Sequence, residues 1–365
     1  MKNEFTYNDI AVVIGFPDNW AKGEKIRDRL LYSLGITYTQ YYKVGHAALL
    51  LIKRETGEIE YFDYGRYIAP HKKGRVRSKD TDPKLSIPIK AKITTSGELN
   101  NLFEIMNYLD TIEDDTHGHG RTYFSVCKNI SFEAGKKYIN KLIAKGSIKY
   151  ITYGLSGMNC SSFVTKTLIN CIGERKKRWN LYFSETIAPT PLGNVVNASE
   201  NGEIWESVEG NYIRLKMNRL KVIKNIFENI QLSLYKNKHL EKNINNFEHS
   251  KDFEKVELPD KAQYLFSLGE STWMHIYKND ICGENEYVVE SYTDFKKMNY
   301  SIIVEPDSDK FNLDIPYKFD YECNRLVTTI VQNEAIFSFF LKRENELNEA
   351  KTGKIIYLNN KKQIK

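Results

Sequence analysis

The chain has 365 residues, 41% of them hydrophobic and 27% charged, with 24 Tyr and 18 Phe. That aromatic load excludes a disordered chain, and no apolar run approaches the roughly 20 residues a membrane-spanning helix needs. The net charge of +6 is a small difference between 53 basic and 47 acidic residues, too mild to imply nucleic acid.

The N-terminus carries Glu4 and Asp9 ahead of the apolar stretch Ile10 to Phe16. It lacks a small-residue cleavage site, so no secretory signal is expected. Cys127, Cys160, Cys171, Cys282 and Cys323 form no CxxC pair, which leaves no zinc ribbon or disulfide framework in view. The expected location is a reducing cytoplasm, with delivery by a specialised secretion route left open.

Strand and helix signals alternate over residues 1–213, which read as one α+β domain with a largely antiparallel sheet. Ile10 to Gly15 is a short β-branched strand, and residues 21–34 have the spacing of a helix ending at Gly35. Val44 to Ile52 and Glu58 to Tyr64 form a β-hairpin centred near Thr56. Residues 66–79 hold six Arg or Lys and no acid, and Arg175 to Arg178 adds a second cationic run. Both read either as solvated surface or as contacts for an anionic partner. Helices follow over 97–110 and 132–145, the second closed by Gly146. Ile148 to Tyr153 reads as a strand and Cys160 to Cys171 as a helix.

Residues 214–257 read as a helical linker, with Leu220, Ile223, Phe227, Ile230 and Leu234 forming one apolar stripe. Such a stripe docks on the protein's own domain, a partner helix or a membrane surface. From 258 to 345 the pattern is all β, a small sandwich or barrel. Its strands are expected at 271–277, 286–293, 300–305, 314–321, 325–331 and 335–341, the last two joined by a turn at Gln332 to Glu334. Residues 346–365 are a polar tail.

Chemistry concentrates between Tyr153 and Val164 (YGLSGMNCSSFV). Asn159 is a good N-cap, so Cys160 opens the next helix, where unpaired N–H groups and the macrodipole favour a thiolate. The dipole is worth about 0.3–1 kcal/mol, less than one pKa unit, so a reactive thiol there needs a second cation. His46, at the head of the most hydrophobic strand, is the candidate. His71, His117, His119, His239, His249 and His275 lie in loops, the linker or the β domain. The histidines lack the acidic or thiol companions of a metal site, and no cofactor is implied.

Tyr153, Gly154 and the run Asn159-Cys160-Ser161-Ser162-Phe163-Val164 resemble the nucleophile segment of the NlpC-type papain-like cysteine peptidases. Gly45-His46-Ala47-Ala48-Leu49 is similar to their Gly-His-Val-Gly-Ile strand. The histidine here precedes the cysteine, the order of the circularly permuted branch that includes the lecithin–retinol acyltransferase relatives. The chain also resembles an uncharacterised bacterial family of that branch, with the same hairpin, a THGxGR stretch and a C-terminal β region.

The resemblance implies a permuted papain-like domain in which Cys160 is the nucleophile and His46 the base. The orienting residue belongs on the strand after His46. A hairpin centred near Thr56 sets residues 63–66 opposite 46–49, which points to Asp63, with Glu60 on the other face as rival. Relatives more often carry His, Asn or Gln there. Tyr153 matches a tyrosine beside the oxyanion site, and Asn159 precedes the N–H that completes it.

Arg66 lies at the expected cleft mouth, to meet a substrate carboxylate or phosphate or to pair with Asp80 or Asp82. The expected function is a thiol peptidase or amidase acting through an acyl-enzyme. Its substrate would be a peptide, a peptidoglycan fragment or a protein conjugate. An acyltransferase or lipid esterase, or a non-catalytic binding module on the same scaffold, are the alternatives.

Overall fold

The computed structural model describes residues 5–22, 41–43, 45–116, 118, 120–151, 157–187, 189–224, 257–267, 271–293, 296 and 298–345. Tyr153, the stripe beyond residue 224 and the polar tail lie outside the described residues. The chain divides into two units, Met1–Lys251 and Asp252–Lys365. Both are built on antiparallel sheets, and the first adds helices to make a mixed α/β fold.

The first unit contains β1 (Asp9–Phe16), β2 (Trp20–Lys22), β3 (Tyr41–Lys43), β4 (His46–Ile52), β5 (Ile59–Gly65), β6 (Lys73–Arg77), β7 (Thr122–Ile130), β8 (Ile148–Lys149), β9 (Glu203–Val208) and β10 (Asn211–Lys216). Eight of them form one sheet in the order β10-β9-β7-β1-β4-β5-β6-β8. β1 and β4 are buried along their whole length, as their near-continuous apolar sequences require of central strands covered on both faces.

Helices supply the two cover layers. Ala11, Val13, Ala47, Leu49 and Leu51 share a core with helices Phe132–Ile143, Cys160–Cys171 and Pro191–Ala198. Ile10, Val12, Ile14, Leu50 and Ile52 pack on the other face with helix Leu102–Thr111. Each of these three helices begins at a side-chain cap, from Ser131, Asn159 and Thr190 respectively.

Several expectations need correction. Residues 21 and 22 belong to β2, paired with β3, and the rest of the helix expected over 21–34 lies outside the described residues. The helix expected from 97 starts at Leu102, because Gly97 closes a turn with φ +83°. The basic stretch 66–79 is not all loop: its second half is β6, paired with β5. β7 and the β9–β10 hairpin were not foreseen. β7 lies between β1 and β9, so its polar Lys128 and Asn129 mask a central strand. β10 crosses residue 213, so the first sheet runs on to Lys216.

The second unit is one sheet of β11 (Gln263–Leu265), β12 (Thr272–Tyr277), β13 (Tyr287–Thr293), β14 (Met298–Pro306), β15 (Lys318–Phe319), β16 (Val327–Gln332) and β17 (Ala335–Glu344). Its order is β11-β12-β13-β14-β17-β16-β15. The Gln263 side chain donates to Tyr317 O at 3.0 Å and accepts from Phe319 N at 3.1 Å, tying the two edge strands into a nearly closed barrel. The β16–β17 turn sits at Asn333 and Glu334, both at positive φ, as a two-residue hairpin turn demands.

Candidate active site

The β4–β5 hairpin places the first two groups. His46 opens β4 opposite Phe16, the last residue of β1, and its ring stacks on the Phe16 ring at 6.0 Å and 10°. Gly45 before it holds φ +68°, and a Cβ there would meet Phe16 O at 2.9 Å, so only glycine feeds the chain into β4 this way. Ala48 pairs with Asp63 and Leu51 with Glu60. A hairpin symmetric about Thr56 would have set Asp63 against Leu49, on the face away from His46. The observed pairing is one residue different, and that slip puts Asp63 on the face of His46.

Asp63 is completely buried, and its Oδ2 lies 3.2 Å from His46 Nε2. Arg77, directly opposite Asp63 on β6, donates Nε to Oδ1 at 3.0 Å and Nη2 to Oδ2 at 2.6 Å. Tyr61 and Tyr67 donate their hydroxyls to Oδ2 at 3.0 and 3.2 Å. The Tyr67 hydroxyl is also 3.2 Å from His46 Nε2, and the Arg77 guanidinium lies 3.7 Å from the centre of the Tyr67 ring. Five donors thus converge on one carboxylate.

Cys160 enters from the other layer, on the first turn of its helix. Asn159 Oδ1 accepts from Ser162 N at 2.8 Å while Ser162 Oγ accepts from Asn159 N at 2.8 Å, a reciprocal cap that fixes the helix start. Asn159 Nδ2 donates to Ile151 O at 3.1 Å and ties down the incoming chain. The His46 ring and the Ala47 main chain both act on the Cys160 thiol to favour its thiolate. His46 Nε2 faces Asp63 and Tyr67.

The electrostatics follow from this chain of alternating groups. Burial pushes the Asp63 carboxyl up, but the Arg77 guanidinium and the His46 ring hold it well below the usual carboxylate range. Burial pushes His46 down, yet its bonds to Asp63 and Cys160 raise it to about 9. Burial pushes the Cys160 thiol up, and the bond and charge of His46, aided by Ala47 and Ser161, bring it below its ordinary value. Two other buried thiols go the opposite way: Cys127 rises to about 12 and Cys171 rises too, both by burial. Of these three thiols, Cys160 alone is held below its ordinary value.

Glu60 sits elsewhere, ion-paired with Lys79 at 3.0 Å and with Lys136. Arg66 lies over the Tyr150 ring at 5.0 Å, and Tyr150 bridges Met158, two residues before Cys160. Of the two acids expected near it, Asp80 pairs with Lys136 at 3.1 Å and Asp82 caps the turn Pro83–Leu85. The THGHGR stretch comes next to the site at Thr116, whose carbonyl lies 3.4 Å from the Tyr61 hydroxyl, and at Gly118. A Cβ on Gly118 would strike the Phe16 ring at 2.7 Å, and Arg121 grips Asp18 through two bonds of 2.9 Å.

Tyr61, Tyr67 and Arg77 were not singled out for the Asp63 cluster from sequence. Tyr61 had a signal, since it lies two residues from Asp63 on the same face of β5. Arg77 had one only once β6 is recognised. Among the described residues there is no group of three or more His, Cys, Asp or Glu side chains able to hold a metal ion.

Residues 11–177 match the family model described as type VI secretion system effector TseH-like, and residues 262–342 match the DUF6695 C-terminal domain. A crystal structure of the type VI secretion system effector TseH is similar at 16% identity and a TM-score of 0.38, covering 57% of this chain and 98% of that one. No curated protein matches the chain. No helix among the described residues is long and apolar enough to cross a membrane.

Proposed function

We propose that the protein is a thiol hydrolase with a permuted papain-like site, cleaving an amide bond through an acyl-enzyme on Cys160. The observation that carries this reading is the buried series Arg77, Asp63, His46, Cys160, alternating in charge and ending at a capped helix start. A thiolate beside an imidazolium is the resting state of a nucleophile that needs no further activation.

In the first step Cys160 Sγ attacks the amide carbonyl carbon, and the carbonyl π electrons move onto oxygen. The N–H groups of the helix start stabilise that oxyanion, with Tyr153 proposed as the second donor. As the tetrahedral species collapses, the C–N bond breaks and His46 Nδ1–H protonates the departing amine. Water then attacks the thioester, His46 takes its proton, and the C–S bond breaks to release a carboxylic acid and restore the pair. Asp63 holds the ring through Nε2 and keeps the imidazolium paired. Arg66, close to the chain that enters the nucleophile segment, would meet an anionic group of the substrate.

The effector description of the family model over residues 11–177 supports delivery through a type VI secretion route. A peptide crosslink or stem peptide of peptidoglycan then becomes the leading substrate among peptides, wall fragments and protein conjugates. The test is trapping with an acyl-type electrophile, read by peptide mass spectrometry. The adduct is expected on Cys160 and absent from Cys127, Cys171 and Cys323. Labelling spread over several cysteines, with none preferred, would overturn the assignment.

A further inference from the structure

Helix Arg175–Ile187 begins with Arg175 and Lys176, both exposed, and then turns aromatic. Trp179 is 73% exposed, Tyr182 47% and Phe183 60%, at the i, i+3, i+4 spacing that shares one helix face. Beside it runs the start of the 219–224 helix: Arg219 Nη2 donates to Asn180 O at 3.1 Å and Nε to Asn197 Oδ1 at 3.2 Å.

On that second helix the two described residues of the stripe read from sequence, Leu220 and Ile223, face outward. Leu220 is 76% and Ile223 47% exposed, whereas Val222 between them is buried in the core. The two helices therefore present five large apolar side chains outward, more than the scattered exposure of an ordinary surface. In sequence the same spacing continues to Phe227, Ile230 and Leu234.

The rim of this surface is cationic. Arg175, Lys176, Lys216, Arg219, Lys221 and Lys224 are all exposed. The adjoining acids Glu174 and Glu200 are both held by Lys177, at 3.7 and 2.5 Å. Two copies meeting face to face would oppose one cationic rim with another, which disfavours a symmetric dimer. Aromatic and aliphatic side chains ringed by Lys and Arg suit the headgroup boundary of a bilayer carrying negative charge. We propose that this surface seats the protein on an anionic phospholipid membrane, with Trp179, Phe183 and Leu220 entering the interface.

The experiment is co-sedimentation of the full chain with sucrose-loaded vesicles of phosphatidylcholine alone and of phosphatidylcholine mixed with phosphatidylglycerol. The mixed vesicles are expected to bind at least about tenfold more protein, since each cation near such a surface adds to its attraction. Raised salt should weaken the binding. Trp179→Glu should lower it about tenfold while leaving the unfolding midpoint unchanged, in keeping with a side chain that is 73% exposed. Lys176→Glu combined with Lys221→Glu gives a second, independent loss. Equal binding to both vesicles, or to neither, overturns the proposal. So does concentration-dependent self-association that Trp179→Glu abolishes, because the occupant would then be a second copy.

Discussion

Asp63→Asn is expected to destabilise the first unit by about 3–5 kcal/mol, the loss that follows when one partner of a buried ion pair is removed. The Arg77 guanidinium would remain buried against a neutral amide that cannot accept both of its donors. Arg77→Gln should cost a similar amount for the converse reason, leaving the carboxylate with two hydroxyls and one imidazole. The double variant Asp63→Asn with Arg77→Gln replaces the pair by two neutral amides. It should lose well under the sum of the single losses. Urea unfolding at constant slope measures the cycle, and additive single losses below about 1 kcal/mol would remove Arg77 from the account. The sign of the pH effect is fixed as well. Because the fold holds Asp63 below its ordinary value of 3.8, its contribution is complete above that pH and fades as the pH falls below it.

His46→Ala is expected to slow alkylation of Cys160 by iodoacetamide at pH 6 by about a hundredfold, within the range that a positioned acid–base partner supplies. The thiol would keep its helix start and the Ala47 contact but lose its imidazolium, so burial would raise its pKa. Cys127 and Cys171, already pushed up by burial, serve as internal controls. Tyr67→Phe should have a smaller effect, since it removes one 3.2 Å contact to His46 and leaves Asp63 in place. An unchanged Cys160 rate in His46→Ala would mean that the pair does not act on the thiol, and a binding role would then fit better.

The parts of this site that sequence made legible are those encoded locally. Asn159 before Cys160 marks a helix start by cap chemistry alone, and the helix runs over Cys160–Cys171 as expected. The continuous apolar runs of β1 and β4 identify central strands, which locates His46 at a strand end. Register was harder. A hairpin loop that differs by one residue from a symmetric turn moves Asp63 to the other face, and no local pattern at Thr56 reports it. Arg77 was hidden for a different reason. Six cations in fourteen residues read as solvated surface, yet the pairing of β6 with β5 turns one of them inward to meet a carboxylate. β7 depends wholly on its neighbours β1 and β9, which are distant in sequence, so its mixed composition gave no strand signal of its own. The outward turn of Leu220 and Ile223 likewise follows from Val222 taking the core position.

The most direct test of the central claim, a thiolate–imidazolium pair between Cys160 and His46, is an NMR titration of the His46 ring nitrogens in the full chain. The ring is expected to stay protonated through neutral pH and to titrate at about 9. In Cys160→Ala its pKa should fall, since one of its anionic partners is gone. A His46 ring that is neutral at pH 7.5, titrates at the ordinary 6.5 and ignores Cys160→Ala would contradict the pair.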